Sequence, residues 1–315
     1  MINIDDIKNK INQLSANGDL NSFSLFKQSD FLYIGINNNS LVFVTPCTES
    51  AKPTYFQETK ELRLGVNVYC SLQINGKETN EHCNILYCLS HDTFHVDAFV
   101  RLGLVFFEKE KSTDEIVKLF SSLTNMFSKN VELSFNEIQG FYGELFTIYY
   151  LNQKGISVSK YWQSEDRMKF DFSIDEKKRI EVKTTIKEER IHHFRHEQLL
   201  SDFYDIRVVS ILLRKSDTGL SLGSLIENIR SIPLIEFSVL EHIEKFINQA
   251  SNKQQVLSIC FDETYAKQNI KFFPADRIPR FNEKQPNGVT NTEYDVDLST
   301  TKIEDLGILK SWLQR

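Results

Sequence analysis

A chain of 315 residues is too long for one small core and points to two domains. Its 41% hydrophobic and 25% charged content is that of an ordinary globular protein, and no apolar run approaches the length of a membrane span. A net charge of −6 excludes a protein that coats nucleic acid through bulk positive charge, but leaves room for an enzyme with a local basic channel.

The first ten residues, M-I-N-I-D-D-I-K-N-K, do not have the make-up of a signal peptide. Five cysteines (47, 70, 83, 88 and 260) are odd in number and scattered, so reduced thiols in a cytoplasmic protein are expected. Cys83 and Cys88, with His82 and His91 nearby, lack the tight spacing of a zinc site and read as buried thiols.

In chain order, Ile4, Ile7, Ile11 and Leu14 fall at helical spacing, and Asn17-Gly18 ends that helix. Strands are expected at 31–36, 41–45, 61–74, 83–90 and 93–107, with turns at Asn37-Asn38-Asn39 and Asn75-Gly76. Residues 114–127 turn helical. Residues 1–130 therefore read as a β-rich N-terminal domain closed by a helix. No catalytic constellation stands out there, so a recognition or docking module is expected, with a structural lid as the alternative. The boundary falls near Ser128-Lys129-Asn130, leaving 131–315 as the second domain.

That domain opens on Ser134-Phe135-Asn136-Glu137, a capping-box pattern, and a helix to about Lys154 with Gly155 as its stop. Ile138, Phe141, Leu145, Ile148 and Leu151 form its apolar face, and Glu144 lies on the edge of that face. A carboxylate there is costly unless paired or bound to a metal. Gly140 and Gly143 lower helix propensity and let another backbone come close. A short strand is expected at 156–158.

Residues 169–185, K-F-D-F-S-I-D-E-K-K-R-I-E-V-K-T-T, read as two alternating strands joined by a charged turn. Side chains switch faces at every strand residue. Phe170, Phe172, Ile174, Ile180 and Val182 can therefore enter one core, while Asp171, Glu181 and Lys183 share the other face within cross-strand reach. Two carboxylates beside one ammonium suit a hard cation with a charge stabiliser next to it. A basic run follows, including Lys187, Arg190, His192, His193, Arg195 and His196. It reads either as a solvated edge or as a nucleic-acid flank, its histidines facing DNA or solvent.

Residues 190–195 form a third strand, a helix opens near Glu197, and 205–214 suits a buried strand of a mixed sheet. Further helices are expected near 221–231, 234–249 and 302–313, with strands at 255–261, 270–273 and 293–298. Asp295 and Asp297 read as a solvated edge.

G-F-Y-G-E-L-F, then F-D-F, then I-E-V-K-T-T, in that order, resembles the PD-(D/E)XK nuclease superfamily. More narrowly, it is similar to the bacterial PD-(D/E)XK motif proteins found beside restriction-modification and phage-defence genes. Phe170 stands where that motif's name has proline, a position that contributes no ligand. The resemblance implies an α/β fold: a restriction-endonuclease-like mixed sheet flanked by helices, preceded here by the β-rich domain. It implies that Glu144, Asp171, Glu181 and Lys183 are catalytic, and that Gln198 and Thr185 are accessory. Asp171 and Glu181, with the Val182 carbonyl, would hold Mg²⁺, for which Mn²⁺ can substitute; Glu144 would hold a second metal or a water. The expected function is metal-dependent hydrolysis of DNA by a homodimer on double-stranded DNA. Partners would be the methyltransferase or ATPase subunits of a defence system. A non-catalytic DNA-binding or scaffold subunit and an RNA or repair nuclease remain open, because such a site reads phosphates and not bases.

Overall fold

The computed structural model describes residues 4–15, 23–47, 52–74, 77–162, 170–200, 203–283, 286–289 and 291–314. The turns expected at Asn17-Gly18 and Asn75-Gly76, and the first residue of the 169–185 stretch, lie outside them. The chain divides into two compact units, Met1–Val131 with Glu244–Ser251, and Glu132–Ile243 with Asn252–Arg315.

The first unit begins with α1 (Ile4–Ser15), then β1 (Phe23–Ser29), β2 (Leu32–Asn37), β3 (Ser40–Pro46), β4 (Tyr55–Glu58), β5 (Leu62–Ile74) and β6 (Lys77–Cys88). The strands run in the order β1-β2-β3-β6-β5-β4, and β1 also pairs in parallel with the end of β5 through Phe23↔Leu72 to Leu25↔Ile74. That second pairing closes five strands into a ring, which removes their free edges. β5 has room for both β4 and β1 because β4 pairs with its residues 63–66 and β1 with 72–74; between these stretches a bulge against β6 leaves Asn67 left-handed at φ 51°. Leu25, Val42, Val44, Leu72, Cys83 and Ile85 fill one core.

α2 (Thr93–Phe106) and α3 (Thr113–Ser128) follow. The strand expected at 93–107 is therefore a helix. Asp92 caps it by accepting from the Phe94 amide at 2.8 Å, and His95, Ala98, Phe99, Leu102 and Gly103 are buried at helical spacing. Apolar residues on nearly every side had hidden that period. The segment 244–251 joins this unit through Val131 N–H to Gln249 O at 2.7 Å and a 3.0 Å ion pair between Arg101 and the buried Glu244.

The second unit holds α4 (Phe135–Gln153), β7 (Phe172–Ser173), β8 (Lys178–Thr185), β9 (Ile191–Arg195), α5 (His196–Leu199), β10 (Asp205–Leu212) and β11 (Lys215–Ser221). Then come α6 (Leu222–Arg230), α7 (Phe237–Gln249, counted with the first unit from Glu244 on), α8 (Lys253–Ser258), β12 (Cys260–Phe261), α9 (Glu263–Asn269), β13 (Ile270–Pro274), β14 (Glu293–Asp297) and α10 (Leu306–Gln314). The strand expected at 255–261 is mostly α8, with only Cys260 and Phe261 paired to β11. Residues 156–158 form no strand; a single 3₁₀ turn follows at Ser159–Tyr161.

The central sheet is mixed, in the order β13-β10-β8-β7, with β8 and β10 parallel and the outer pairs antiparallel. The register puts Ile180, Val182 and Thr184 on one face, against α4, and Glu181 and Lys183 on the other with Val208 and Ser210. Gly143 is what allows α4 so near: a Cβ there would lie 2.2 Å from Thr184 Cγ2. Gly140 does not share that role, since a Cβ there would meet nothing within 4 Å. α4 is bounded as its sequence requires. Ser134 and Glu137 complete a capping box. At the other end Gly155 sits at φ 72°, while Ile156 N–H reaches Leu151 O and Gly155 N–H reaches Asn152 O, closing a Schellman motif.

The far face of the sheet carries the β9–β14 ribbon and α5, around Phe194, Leu199, Ile206, Val208, Phe273 and Val296. Phe170 packs into this cluster and not with Ile180 as its alternation suggested. Residues 170 and 171 precede β7, so the two-residue period does not extend to them. Among the described residues no helix is long and apolar enough to cross a membrane.

Candidate active site

β7 covers only the first part of β8, through Phe172↔Ile180 and Ser173↔Arg179. Beyond Ile180 the edge of β8 is taken over by a side chain: Val182 N–H donates to Asp171 Oδ2 at 2.6 Å. The carboxylate replaces a ladder carbonyl, which fixes Asp171 beside Glu181. The N–H and C=O of one strand residue point to the same side, so the Val182 carbonyl faces this edge too.

Glu181 is 4% exposed. Its Oε1 accepts from Lys183 Nζ at 2.8 Å and from Gln198 Nε2 at 2.5 Å. Its Oε2 is buried without a hydrogen-bond partner. Gln198 is nearly buried in the short helix α5, and its own Oε1 accepts from Lys183 Nζ at 3.1 Å and from the Arg195 amide at 3.0 Å. The accessory residue of the sequence reading thus joins Glu181, Lys183 and the start of α5. The Lys183 ammonium also lies 5.2 Å from the centre of the Phe194 ring.

Glu144 arrives from α4, half-buried, and Trp162 Nε1 donates to its Oε2 at 2.6 Å. Trp162 was missed in the sequence, where it is one aromatic beside a polar loop and carries no spacing signal.

The electrostatics tie the four residues together. Burial pushes the Glu181 carboxyl up to about 8, and the charge of Asp171 adds to that while Lys183 opposes it. Burial pushes Asp171 up to about 6, against the Val182 amide and Lys183. Glu144 is held well above the usual carboxylate range by burial, then by the charge of Asp171, with the Trp162 N–H acting the other way. Three carboxylates against one ammonium leave two negative charges when all are ionised. Among the described residues no group of three or more His, Cys, Asp or Glu stands close enough together to hold a metal ion. The donor set still suits a divalent cation. Each carboxylate spends one oxygen on a donor of the protein, and the spare oxygen of Glu181 is buried and unpaired, a costly state that a cation would relieve.

Other candidates fall elsewhere. Thr185 is on the same face as Lys183 but its hydroxyl accepts from the Lys187 amide at 3.1 Å, within its own turn. His192 does not face DNA or solvent. It is buried, 2.6 Å from Ser210 Oγ, and burial holds its ring down at about 3. His196 is likewise buried, between Tyr294 and the Glu283 carbonyl. Both fill the layer behind the sheet. Arg190 is buried there too, donating to Ser210 and Asn269. Of the three histidines only His193 is exposed, held by Glu293 and Asp295; Lys187 and Arg195 are exposed as well, so the basic run is split between solvent and the interior. Asp295 and Asp297 are exposed on β14, as an edge strand requires.

Residues 105–299 match the model of the DUF4420 family, described as "Putative PD-(D/E)XK family member". The chain belongs to this family. No curated protein and no solved structure matches it. The family match spans the four candidate residues Glu144, Asp171, Glu181 and Lys183. It also covers the helix–strand–strand–strand–helix–strand order that carries them, and with it a nuclease-like fold.

Proposed function

We propose that this PD-(D/E)XK protein is a metal-dependent endonuclease that hydrolyses DNA phosphodiester bonds. The observation that carries the reading is the buried, unpaired Oε2 of Glu181 beside Asp171, Glu144 and Lys183. Asp171, Glu181 and the Val182 carbonyl would hold Mg²⁺ or Mn²⁺, and Glu144 a second ion or a water. When bound, the cation supplies a Lewis acid that polarises a phosphoryl oxygen and activates water.

The chain's own groups do the rest. Lys183, kept at Glu181 by Gln198, presents an ammonium where negative charge builds on the phosphoryl group, and orients the attacking water. Gln198 fixes both partners and so limits the reorganisation needed at the moment of reaction. The β-rich unit is assigned to recognition of double-stranded DNA or to docking. The chain is assigned to a restriction or phage-defence system as its nuclease subunit, a homodimer working with methyltransferase or ATPase subunits.

The test is plasmid DNA incubated with the full chain in Mg²⁺ or Mn²⁺, beside Asp171→Ala and Lys183→Ala. Cleavage that needs metal and is lost in both variants is expected. Cleavage that persists in both overturns the site. No cleavage under any metal, with and without partner subunits, favours the second reading, a non-catalytic DNA-binding subunit. The absence of a close three-ligand group among the described residues speaks for that second reading.

A further inference from the structure

Trp162 touches two parts of the site at once. Its backbone forms an antiparallel bridge to Phe172, the residue that follows Asp171. Its indole N–H donates to Glu144 Oε2 at 2.6 Å. The residue is 5% exposed, its ring held in a three-ring cluster. It stacks on His242 with centroids 4.1 Å apart and planes at 29°, and it packs against Phe141 at 5.6 Å. Phe141 stands three residues before Glu144 on α4, on the same side of the helix. Turning the indole away from Glu144 therefore breaks its stack on His242 and its packing against Phe141.

We propose that Trp162 is a positioning residue that clamps Glu144 to Asp171 and so builds the cation site from two separate elements. The proposal rests on the metal-dependent reading above. β8 meets α4 through Thr184 and Gln139, more than one turn before Glu144, while Glu181 and Lys183 bond to each other and to Gln198. A neutral N–H on Oε2 fixes the carboxylate plane, leaves Oε1 for a ligand, and adds no charge that would compete with a cation. Partners of this kind around a ligating carboxylate contribute about 10- to 100-fold in metal affinity.

The experiment is a calorimetric titration of Mn²⁺ into the full chain and into Trp162→Phe, Glu144→Gln and the double variant, with Asp171→Ala as the control for the site. Phe keeps a ring packed with Phe141 and His242 but has no N–H. Trp162→Phe is expected to weaken Mn²⁺ binding about tenfold or more, and to add less than about twofold once Glu144 is already Gln, because coupled residues fail to add. Unchanged affinity in Trp162→Phe, or an equal loss in both backgrounds, overturns the clamp while leaving the cation site standing. Wild-type protein that takes no Mn²⁺ removes the metal reading itself, and the clamp with it.

A second measurement guards against a variant that does not fold. The chain has two tryptophans, so Trp312→Phe leaves Trp162 as the only indole emitter. Paramagnetic Mn²⁺ should quench that emission with the affinity found by calorimetry. Binding without quenching places the ion away from Trp162 and also overturns the proposal.

Discussion

Gln198 Nε2 donates to Glu181 Oε1 at 2.5 Å, and the same side chain accepts from Lys183 Nζ at 3.1 Å. One neutral amide therefore orients the acid and the base of the Glu-x-Lys pair, from a four-residue helix whose first turn it also caps through the Arg195 amide. Gln198→Ala leaves Lys183 and Glu181 paired but free to rotate. Plasmid cleavage by this variant should fall about 10- to 100-fold, the usual effect of removing a partner behind a metal-binding carboxylate. Measured rates within threefold of wild type would show that the Lys183–Glu181 pair orients itself.

The metal-free protein should lose stability as pH rises. Glu181 titrates near 8 in the fold against 4.5 ordinarily, so between those values the folded state binds more protons than the unfolded one. Stability then falls with pH across that window. Asp171 adds in the same direction up to about 6. His192, held at about 3, works the other way, but only below its ordinary value of 6.5. Between pH 6.5 and 8 the acids are therefore unopposed by it. Exposed His193, raised by Asp295 and Glu293, adds in their direction, though screened by solvent. Thermal melts in EDTA should shift down across this interval, Glu181→Gln should flatten the slope, and Mn²⁺ should reverse it. A flat profile in wild-type protein would mean that Glu181 is solvated.

The two glycines of α4 predict opposite signs for one substitution. At Gly143 a new methyl would lie 2.2 Å from Thr184 Cγ2, so helix and strand must part. Gly143→Ala should cost about 1–3 kcal/mol. At Gly140 the methyl meets nothing within 4 Å, so Gly140→Ala should gain about 0.5–1 kcal/mol from helix propensity alone. Urea unfolding of both variants decides the matter. A loss at Gly140 would reveal a close neighbour on that face.

What could be read from the sequence follows from the range of the forces involved. The capping box of α4, its Gly155 stop and the alternation of β8 are local, and each stands where the residues put it. That the four candidate residues would lie near one another was legible because three short patterns, Glu144 on a capped helix, Asp171 before a strand and Glu181-x-Lys183 on the next, need only be brought together by the chain order. Trp162 was not legible, because its role depends on where a loop returns to α4. The histidines failed for a related reason. His192 and His196 are polar in sequence but buried, and only Ser210, Tyr294 and the Glu283 carbonyl, up to 98 residues away, make that tolerable. α2 was misread because an apolar run of its length fits a buried strand as well as a buried helix.

Across the ladder from Lys183, Ser210 carries a network of its own. Its Oγ accepts from Arg190 Nη1 at 2.7 Å and lies 2.6 Å from His192 Nε2. The hydroxyl accepts from the guanidinium and keeps one proton and one further lone pair for His192 Nε2, so it pairs with either tautomer of a neutral imidazole; burial favours that neutral ring. Ser210→Ala strands a buried imidazole nitrogen and removes one of the three acceptors that Arg190 meets. The expected cost is about 1–3 kcal/mol in urea unfolding. Cleavage per folded molecule should change little, because the Ser210 hydroxyl, although across the ladder from Lys183, meets Arg190 and His192, while Glu181 and Lys183 bond to each other and to Gln198. Unchanged stability would mean that His192 and Arg190 find other partners, and a matching fall in cleavage would move this network into the active site.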